Sequence, residues 1–214
     1  DGLASVDFAK VTSVGSYAFY DCDGLTAISL VNSIMSIGSQ AFYSCNGLTS
    51  VHIPGSIKTI GESAFYDNYN LKEIVIDEGV ESIGSYAFGY SGNSLGANSC
   101  TLSLPNSITQ IGDYAFQNNG CLNIQVLDLP ESLTTIGSYA FQNCSSKLKQ
   151  VIIHDKVTGI GSNAFNGLNN LEIVGVLTSN VPATDSGNAF GNSASHATLF
   201  AISSLLETYQ SDDN

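Results

Sequence analysis

The sequence contains few charged residues, and the positively charged ones are the rarer kind. Only 12% of its 214 residues are charged, and the formal net charge is -13, with six lysines and no arginine. Proteins that bind nucleic acid neutralise phosphates with lysine and arginine, so this composition argues against a nucleic-acid partner and an anionic membrane surface. Acidity of this kind usually serves solubility.

Long apolar runs and metal-ligand spacings are also missing. No window approaches the roughly 20 apolar residues that a membrane-spanning helix needs. The three histidines, His52, His154 and His196, stand at unrelated positions, without the His/Cys/carboxylate spacing of a metal site. No phosphate-binding or dinucleotide-binding glycine motif is present. We therefore expect no metal, no cofactor and no enzymatic activity.

The five cysteines do not form an even-numbered disulfide framework. Cys22, Cys45 and Cys144 each follow a phenylalanine by three residues, and we interpret them as small buried side chains at equivalent positions. Cys100 and Cys121 lie in irregular insertions, and the sequence does not determine whether a disulfide joins them.

Eight copies of one phrase, Ile-Gly-x-x-Ala-Phe, run along the chain, the last of them degenerate. Their phenylalanines are 23, 23, 23, 28, 25, 24 and 25 residues apart and are Phe19, Phe42, Phe65, Phe88, Phe116, Phe141, Phe165 and Phe190. A period of this length is typical of a solenoid, in which each repeat buries its apolar side by stacking on its neighbours.

One repeat can be interpreted segment by segment. Alternation of apolar and polar residues around Val51 and Ile53 predicts a half-buried strand, and the Ile57-x-x-Ile60 step returns the chain along a second side. The recurrent glycine, such as Gly61, suggests a backbone angle that only glycine adopts cheaply. We expect a short helical turn after it, with the phenylalanines forming a continuous internal spine.

The repeat Leu-x-x-Val-x-Ile-Pro-x-x-Ile-x-x-Ile-Gly-x-x-Ala-Phe-x-x-Cys resembles the BspA-type leucine-rich repeat, over roughly residues 3–190. The resemblance implies a leucine-rich-repeat solenoid, mainly β with short helical turns. Its about eight coils would form a right-handed curved stack with a parallel sheet on one face.

We divide the single domain into repeats over residues 1–177 and a degenerate last repeat with a C-terminal cap over residues 178–214. The cap resembles the closing unit of bacterial surface proteins with these repeats, and a solenoid needs such a unit to cover its end. It would contain a last strand and a short helix begun by Ser203 or Ser204. No N-terminal cap is evident, so we expect further sequence upstream of Asp1.

Strand residues that point away from the core predict the binding surface. The second half of the chain places apolar residues there, and an exposed apolar patch often marks a partner site. An equally weighted alternative is that these residues lie there because β-branched side chains favour strands. Missing residues or a second copy of the chain could also cover them. The candidate partner-binding residues are Val75, Val126, Ile152, Ile173, His52, Glu73, Asp128 and Gln150.

Tyrosines form a second candidate surface. Tyr86, Tyr114 and Tyr139 occupy one position in three consecutive repeats, and Tyr20, Tyr43 and Tyr66 occupy another. Coils stacked about 4.8 Å apart would align each set as an aromatic strip. Such strips can contact sugars or a protein partner, or can serve only as a stabilising ladder.

Together these features predict a non-enzymatic module for protein binding and adhesion. The family resemblance implies a cell-surface or secreted location and a host extracellular or cell-surface protein as partner. The alternatives are a carbohydrate-binding module that uses the strip of Tyr86, Tyr114 and Tyr139, or a passive spacer.

Overall fold

The computed structural model describes residues 2–92, 101–120, 122, 124–177, 183–184, 188–191, 193 and 198–201. Its strands are β1 (Ala27–Ser29), β2 (Ser50–Ile53), β3 (Thr59–Ile60), β4 (Glu73–Ile76), β5 (Ser82–Ile83), β6 (Thr101–Ser103), β7 (Gln110–Ile111), β8 (Val126–Asp128), β9 (Thr135–Ile136), β10 (Gln150–Ile153), β11 (Gly159–Ile160), β12 (Ile173–Val176), β13 (Ala183–Thr184) and β14 (Thr198–Ala201). All their pairings are parallel and join neighbouring coils, which confirms the predicted solenoid.

The first side of the solenoid carries the longer strands, in two separate sheets. The N-terminal sheet has the order β1-β2-β4-β6, and the C-terminal sheet has the order β8-β10-β12-β14. The inward residues are those that the alternation predicts; Val51, Ile53, Val151 and Ile153, for example, are buried. No strand forms around Val6 and Phe8, which occupy the equivalent positions of the first repeat, although Phe8 is buried.

The second side is one continuous sheet of short strands, in the order β13-β11-β9-β7-β5-β3. Isolated bridges extend the pairing from Ile60 to Ile37 and from Ile37 to Val14. Six of the described coils therefore have a paired strand on this side, slightly fewer than the eight full coils that the sequence predicts. This continuous pairing holds neighbouring coils in register along the described part of the chain.

The third side, which we call the turn side, consists of residues 15–23, 38–46, 61–69, 84–92, 112–120, 137–145 and 161–169. The predicted helical turn is wrong: these segments are tight turns, with the N–H of Ala18 donating to the carbonyl of Gly15, three residues back. Every coil has a residue with φ near +55° two positions after its glycine, such as Tyr17 or Gln40. Helical geometry is incompatible with that angle.

Hydrogen bonds between coils replace the helical ones on the turn side. The phenylalanine N–H of each coil donates to the alanine carbonyl of the next, from Phe19 to Ala41 at 2.8 Å and onward to Phe165, at distances of 2.7–2.8 Å. The two positive-φ residues that flank each phenylalanine donate in the same way, as Tyr17 does to Ser39 at 3.0 Å. The turns are therefore a third hydrogen-bonded ladder.

The repeated glycine is required by the closeness of the coils, and the predicted unusual backbone angle is wrong. These glycines do not have a positive φ, but a Cβ on Gly137 would lie 2.4 Å from Asp113 N and 2.5 Å from Gly112 C of the preceding coil. Gly38, Gly84 and Gly161 meet preceding backbone atoms at 2.3–2.7 Å, while Gly15 has nothing within 4 Å. Only glycine lets the coils approach this closely.

The predicted phenylalanine spine is confirmed. Neighbouring rings from Phe19 to Phe190 stack with centroids 5.0–5.6 Å apart and interplanar angles of 4–12°. The six rings from Phe42 to Phe165 are fully buried. Rows of Ile, Leu and Val from the two strand sides surround this column, so the described interior is filled by side chains.

The position three residues after each phenylalanine forms a polar ladder. Side-chain donors there bond the phenylalanine carbonyl of the preceding coil: Cys45 Sγ to Phe19 at 2.8 Å, Asn68 Nδ2 to Phe42 at 2.9 Å and Asn119 Nδ2 to Phe88 at 2.7 Å. Cys45 and Cys144 are buried and Cys22 is half-buried, and all three are free thiols. Cys100 and Cys121 lie outside the described residues.

Burial makes two of these thiols poor nucleophiles. It raises the pKa of Cys45 to about 11 and that of Cys144 to about 12, so both remain neutral at pH 8, whereas alkylation requires the thiolate. We expect iodoacetamide at pH 8 to label Cys22 readily and to label Cys45 and Cys144 only after denaturation. Mass spectrometry of the peptides measures this, and rapid native labelling of Cys144 would show that its coil is open.

Part of the predicted cap is present. A last strand, β14, pairs with β12 at the end of the C-terminal sheet. Residues 202–214, which include the predicted helix, lie outside the described residues.

Candidate binding surfaces

The candidate residues on the strands occupy two neighbouring rows of each sheet. In the N-terminal sheet Glu73 is paired with Ser50, and Val75 is paired with His52. The side chain of Val75 is exposed (38%), as are those of His52 and Glu73. This half of the described face is therefore mostly polar, with Val75 as its one large apolar residue.

The C-terminal sheet brings together most of the candidate apolar residues. Gln150 is paired with Val126 on one side and with Ile173 on the other, and Ile152 is paired with Asp128 and Gly175 in the adjacent row. Val126 is 45% exposed, while Ile152 and Ile173 are half-buried.

The break between the sheets separates Val75 from this group. Strands β6 and β8 are consecutive on the first side, but they belong to different sheets. The candidate face is thus two patches, and only the C-terminal patch gathers several apolar residues.

Both described histidines pair with carboxylates of a neighbouring coil, a feature that sequence reasoning missed. His52 Nε2 lies 2.9 Å from Asp77 Oδ2, and His154 Nε2 lies 2.7 Å from Asp128 Oδ1. The partners are 25 and 26 residues apart, close to one repeat, and this offset is the signal that could have found them. The His154 pair lies at the end of the C-terminal patch, so a partner there would meet a polar rim. Among the described residues, no group of His, Cys, Asp and Glu could hold a metal ion.

The tyrosine strips form as predicted, and they join. Tyr86, Tyr114 and Tyr139 stack at 4.6 and 4.8 Å, with rings parallel within 5°. The other strip stacks at 4.9 and 5.1 Å, and its last member, Tyr66, meets Tyr86 edge-on at 6.0 Å. We call the whole set the tyrosine band: Tyr17, Tyr20, Tyr43, Tyr66, Tyr86, Tyr114 and Tyr139.

Parallel stacking decides what the band offers to a ligand. Ring faces within each strip cover one another, so edges and hydroxyl groups remain for contact. Burial, followed by the nearby phenols, raises the pKa of Tyr66 to about 12 and also raises the pKa of Tyr114. These phenols are neutral near pH 7 and can both donate and accept hydrogen bonds.

A shallow groove of about 320 Å³ crosses three coils, in the segments that precede Tyr86, Tyr114 and Tyr139 in the sequence. Its lining residues are 82–85, 110–113 and 135–137. Ser82, Gln110 and Thr135 provide uncharged polar groups, and Asp113 provides one carboxylate.

Comparisons with known proteins agree with this architecture. A family profile described as "BspA type Leucine rich repeat region" matches six copies over residues 2–100 and 93–211. No protein with a curated description matches the sequence. Among the described residues, none forms an apolar helix of the length that a membrane span requires.

Solved structures show the same fold. The chain is similar to the leucine-rich repeat protein of T. pallidum, with 26% identity, a TM-score of 0.66 and coverage of 80% of this chain and 77% of that one. A leucine-rich repeat protein of Bacteroides ovatus is 25% identical, with a TM-score of 0.51; 89% of this chain and 60% of that chain are covered. A leucine-rich cell surface protein of Faecalibacterium prausnitzii has 22% identity and a TM-score of 0.50, with 92% and 69% covered.

The family profile covers nearly the whole sequence, and the strand ladders and phenylalanine column show its repeats stacked. The chain therefore belongs to the family of BspA-type leucine-rich repeat proteins.

Proposed function

We propose that the chain is a non-enzymatic adhesion module of a cell-surface or secreted protein and that it binds a protein partner through its C-terminal sheet. The repeat family itself indicates a protein-interaction module. The observation that carries the proposal is the patch around Gln150, where Val126, Ile152 and Ile173 share one sheet face. Apolar residues gathered on an outer face favour contact with another protein.

The architecture supports binding without rearrangement. Three hydrogen-bonded ladders and the phenylalanine column fix the sheet before a partner arrives, so little ordering entropy opposes association. The family resemblance supports a host extracellular or cell-surface protein as the partner. The phenylalanine column and the surrounding Ile, Leu and Val side chains fill the described interior, and this packing supports a non-catalytic role.

A binding assay with two matched variants tests the proposal. The chain is screened against immobilised extracellular-matrix proteins and a glycan array, and each hit is repeated with Val126→Lys and Val75→Lys. Both valines are exposed, so both variants should fold. We expect Val126→Lys to weaken protein binding about tenfold, as loss of an interface anchor does, and Val75→Lys to change it little. Equal losses, or no loss from Val126→Lys, would overturn the assignment to the C-terminal sheet.

The same screen addresses the alternatives. The groove that precedes Tyr86, Tyr114 and Tyr139 favours a glycan as the second candidate, because its polar groups and its one carboxylate, Asp113, suit sugar hydroxyls. A glycan hit without a protein hit would move the function to that groove. A folded sample that binds neither class would contradict adhesion and support a spacer.

A further inference from the structure

Two cysteines stand next to each other in the polar ladder of the turn side. Cys22 follows Phe19 by three residues, and Cys45 follows Phe42 by three. The two therefore occupy equivalent positions of the first and second coils. The later coils carry, at the same position, Asn68, Ser91, Asn119, Cys144, Leu168 and Ser193. The first two coils are thus the one place where the ladder puts two thiols side by side.

The stacking of these two coils brings the cysteines within the range of a disulfide. The rings that precede them set the spacing: Phe19 and Phe42 stack at 5.1 Å, and Tyr20 and Tyr43 stack at 4.9 Å, with planes parallel within 8°. The N–H of Asp21 also donates to the carbonyl of Tyr43 at 2.9 Å. Disulfide-bonded cysteines have Cα atoms about 4.4–6.8 Å apart, and a coil spacing near 5 Å lies inside that range.

The thiol of Cys45 already spans the gap between the coils. Its Sγ donates to the carbonyl of Phe19 in the first coil at 2.8 Å. Burial raises the pKa of this thiol to about 11, and the backbone N–H of Cys22 acts in the opposite direction, which requires that it lie close to the sulfur. Cys22 Sγ contacts the carbonyl of Tyr20 at 3.8 Å, a weak bond that a side-chain rotation breaks at little cost.

The two thiols differ in their access to solvent. Cys22 is half-buried, whereas Cys45 is buried. A reagent from solvent therefore meets Cys22 first, and Cys45 can react with it afterwards from inside the ladder. Cys144 is the internal comparison, because it is buried and its neighbours in the ladder are Asn119 and Leu168.

We propose that Cys22 and Cys45 are an oxidation site, at which a small-molecule disulfide such as oxidised glutathione or cystine converts them to a disulfide that fastens the first coil to the second. The Cys22 thiolate attacks one sulfur of the reagent, which forms a mixed disulfide and releases one thiolate. Cys45 loses its proton to water and attacks the Cys22 sulfur, which releases the second thiolate. Two protein thiols are oxidised, and the S–S bond of the reagent is reduced to two thiols, which take up the two protons.

The bond acts where the described solenoid is loosely held. Phe19 is half-buried, whereas the next six rings of the column are fully buried. A disulfide between neighbouring coils closes a loop of one repeat and restricts the unfolded chain. Disulfides persist in oxidising surroundings. The proposal rests on the surface or secreted location proposed above for the source of the oxidant, and it is independent of the C-terminal sheet.

Tryptic digestion isolates the two cysteines from the others. Cleavage after Lys10 and Lys58 releases residues 11–58, which contain Cys22 and Cys45 and no other cysteine. The reduced, folded chain is incubated with oxidised glutathione, unfolded with N-ethylmaleimide present to block free thiols, and digested. We expect mass spectrometry to show this peptide two hydrogens lighter than its reduced form and without a maleimide adduct.

Cys45→Ser is the matched control. Ser91 occupies the equivalent position and donates to the carbonyl of Phe65 at 2.5 Å, so a serine at position 45 should preserve the ladder and the fold. The same treatment should leave this variant with glutathione on Cys22, because the second thiol is missing.

Amide hydrogen exchange measures whether the bond fastens the coil. The N–H of Phe19 donates to the carbonyl of Ala41 in the second coil at 2.8 Å. Oxidation should slow its exchange about tenfold in the native sequence, since opening of the first coil is then restrained. The same amide in Cys45→Ser, and the amide of Phe141 in both proteins, should be unaffected.

Recovery of peptide 11–58 with both cysteines blocked by maleimide, or with glutathione retained on Cys22, would overturn the proposal. A closed peptide with unchanged exchange of the Phe19 amide would also overturn it, because the bond would then not fasten the coil. These readouts need no binding partner. Failure of the binding screen, or an unexpected result with Val126→Lys, would therefore count against the proposed function alone.

Discussion

Replacing Phe116 with alanine is expected to lower the free energy of unfolding by about 3–5 kcal/mol. The ring is fully buried between Phe88 at 5.6 Å and Phe141 at 5.4 Å, and the backbone ladders of the second side and the turn side keep the coils from closing the space. The loss combines transfer of the ring, the residual cavity and two ring stacks. Urea unfolding followed by circular dichroism measures it.

Phe190 is the matched control for this substitution. It ends the column, is half-buried and stacks on a single described ring, Phe165, at 5.0 Å. Phe190→Ala should therefore cost roughly half as much or less, since more of the site is open to water. If both variants lost the same stability, the column would not be the continuous element that unites the coils.

Replacing Gly137 with alanine is expected to cost about 2–3 kcal/mol, although only one methyl group is added. That methyl would meet the backbone of Asp113 and Gly112 at 2.4–2.5 Å, and a backbone fixed by neighbouring hydrogen bonds cannot move aside cheaply. The coils must separate locally, which also strains the bond from Gly137 N–H to the carbonyl of Ile111 at 2.8 Å.

Gly15→Ala makes the same chemical change without the clash. Nothing lies within 4 Å of the added methyl in this chain, so the free energy of unfolding should change by no more than about 0.5 kcal/mol. Comparing the urea midpoints of Gly137→Ala and Gly15→Ala separates the steric clash of the added methyl group from any conformational preference of the turn for glycine. A comparable loss at both positions would point to backbone conformation as the reason for the glycine, as the sequence had suggested.

Features that follow from the alternation within a repeat, or from the spacing between repeats, could be predicted from the sequence. Alternation placed Val51 and Ile53 inward and His52 outward, and the repeat spacing placed the phenylalanines in one column. The alignment of Tyr86, Tyr114 and Tyr139 followed from the same spacing. These features depend on local geometry and on the fact that equivalent residues stack.

Features that depend on contacts between coils could not be predicted in the same way. Glycine is required at position 137 because the chain there lies against backbone atoms of residues 112 and 113 in the preceding coil. The ion pair of His154 with Asp128 joins residues at different positions of two repeats. Tyr66 and Tyr86 also occupy different positions, so their contact was hidden by the alignment of repeats. The irregular insertions carried no pattern that located the break between the two sheets on the first side.

The turn side supports both stability predictions, so its hydrogen bonding is the central claim. Amide hydrogen exchange, measured by NMR, tests it most directly. We expect the amides of Phe42, Phe65, Phe88, Phe116 and Phe141 to exchange among the slowest in the protein, because each donates to an alanine carbonyl of the next coil at 2.7–2.8 Å. Exchange of these amides as fast as that of open loops, with the strand amides still protected, would contradict the account.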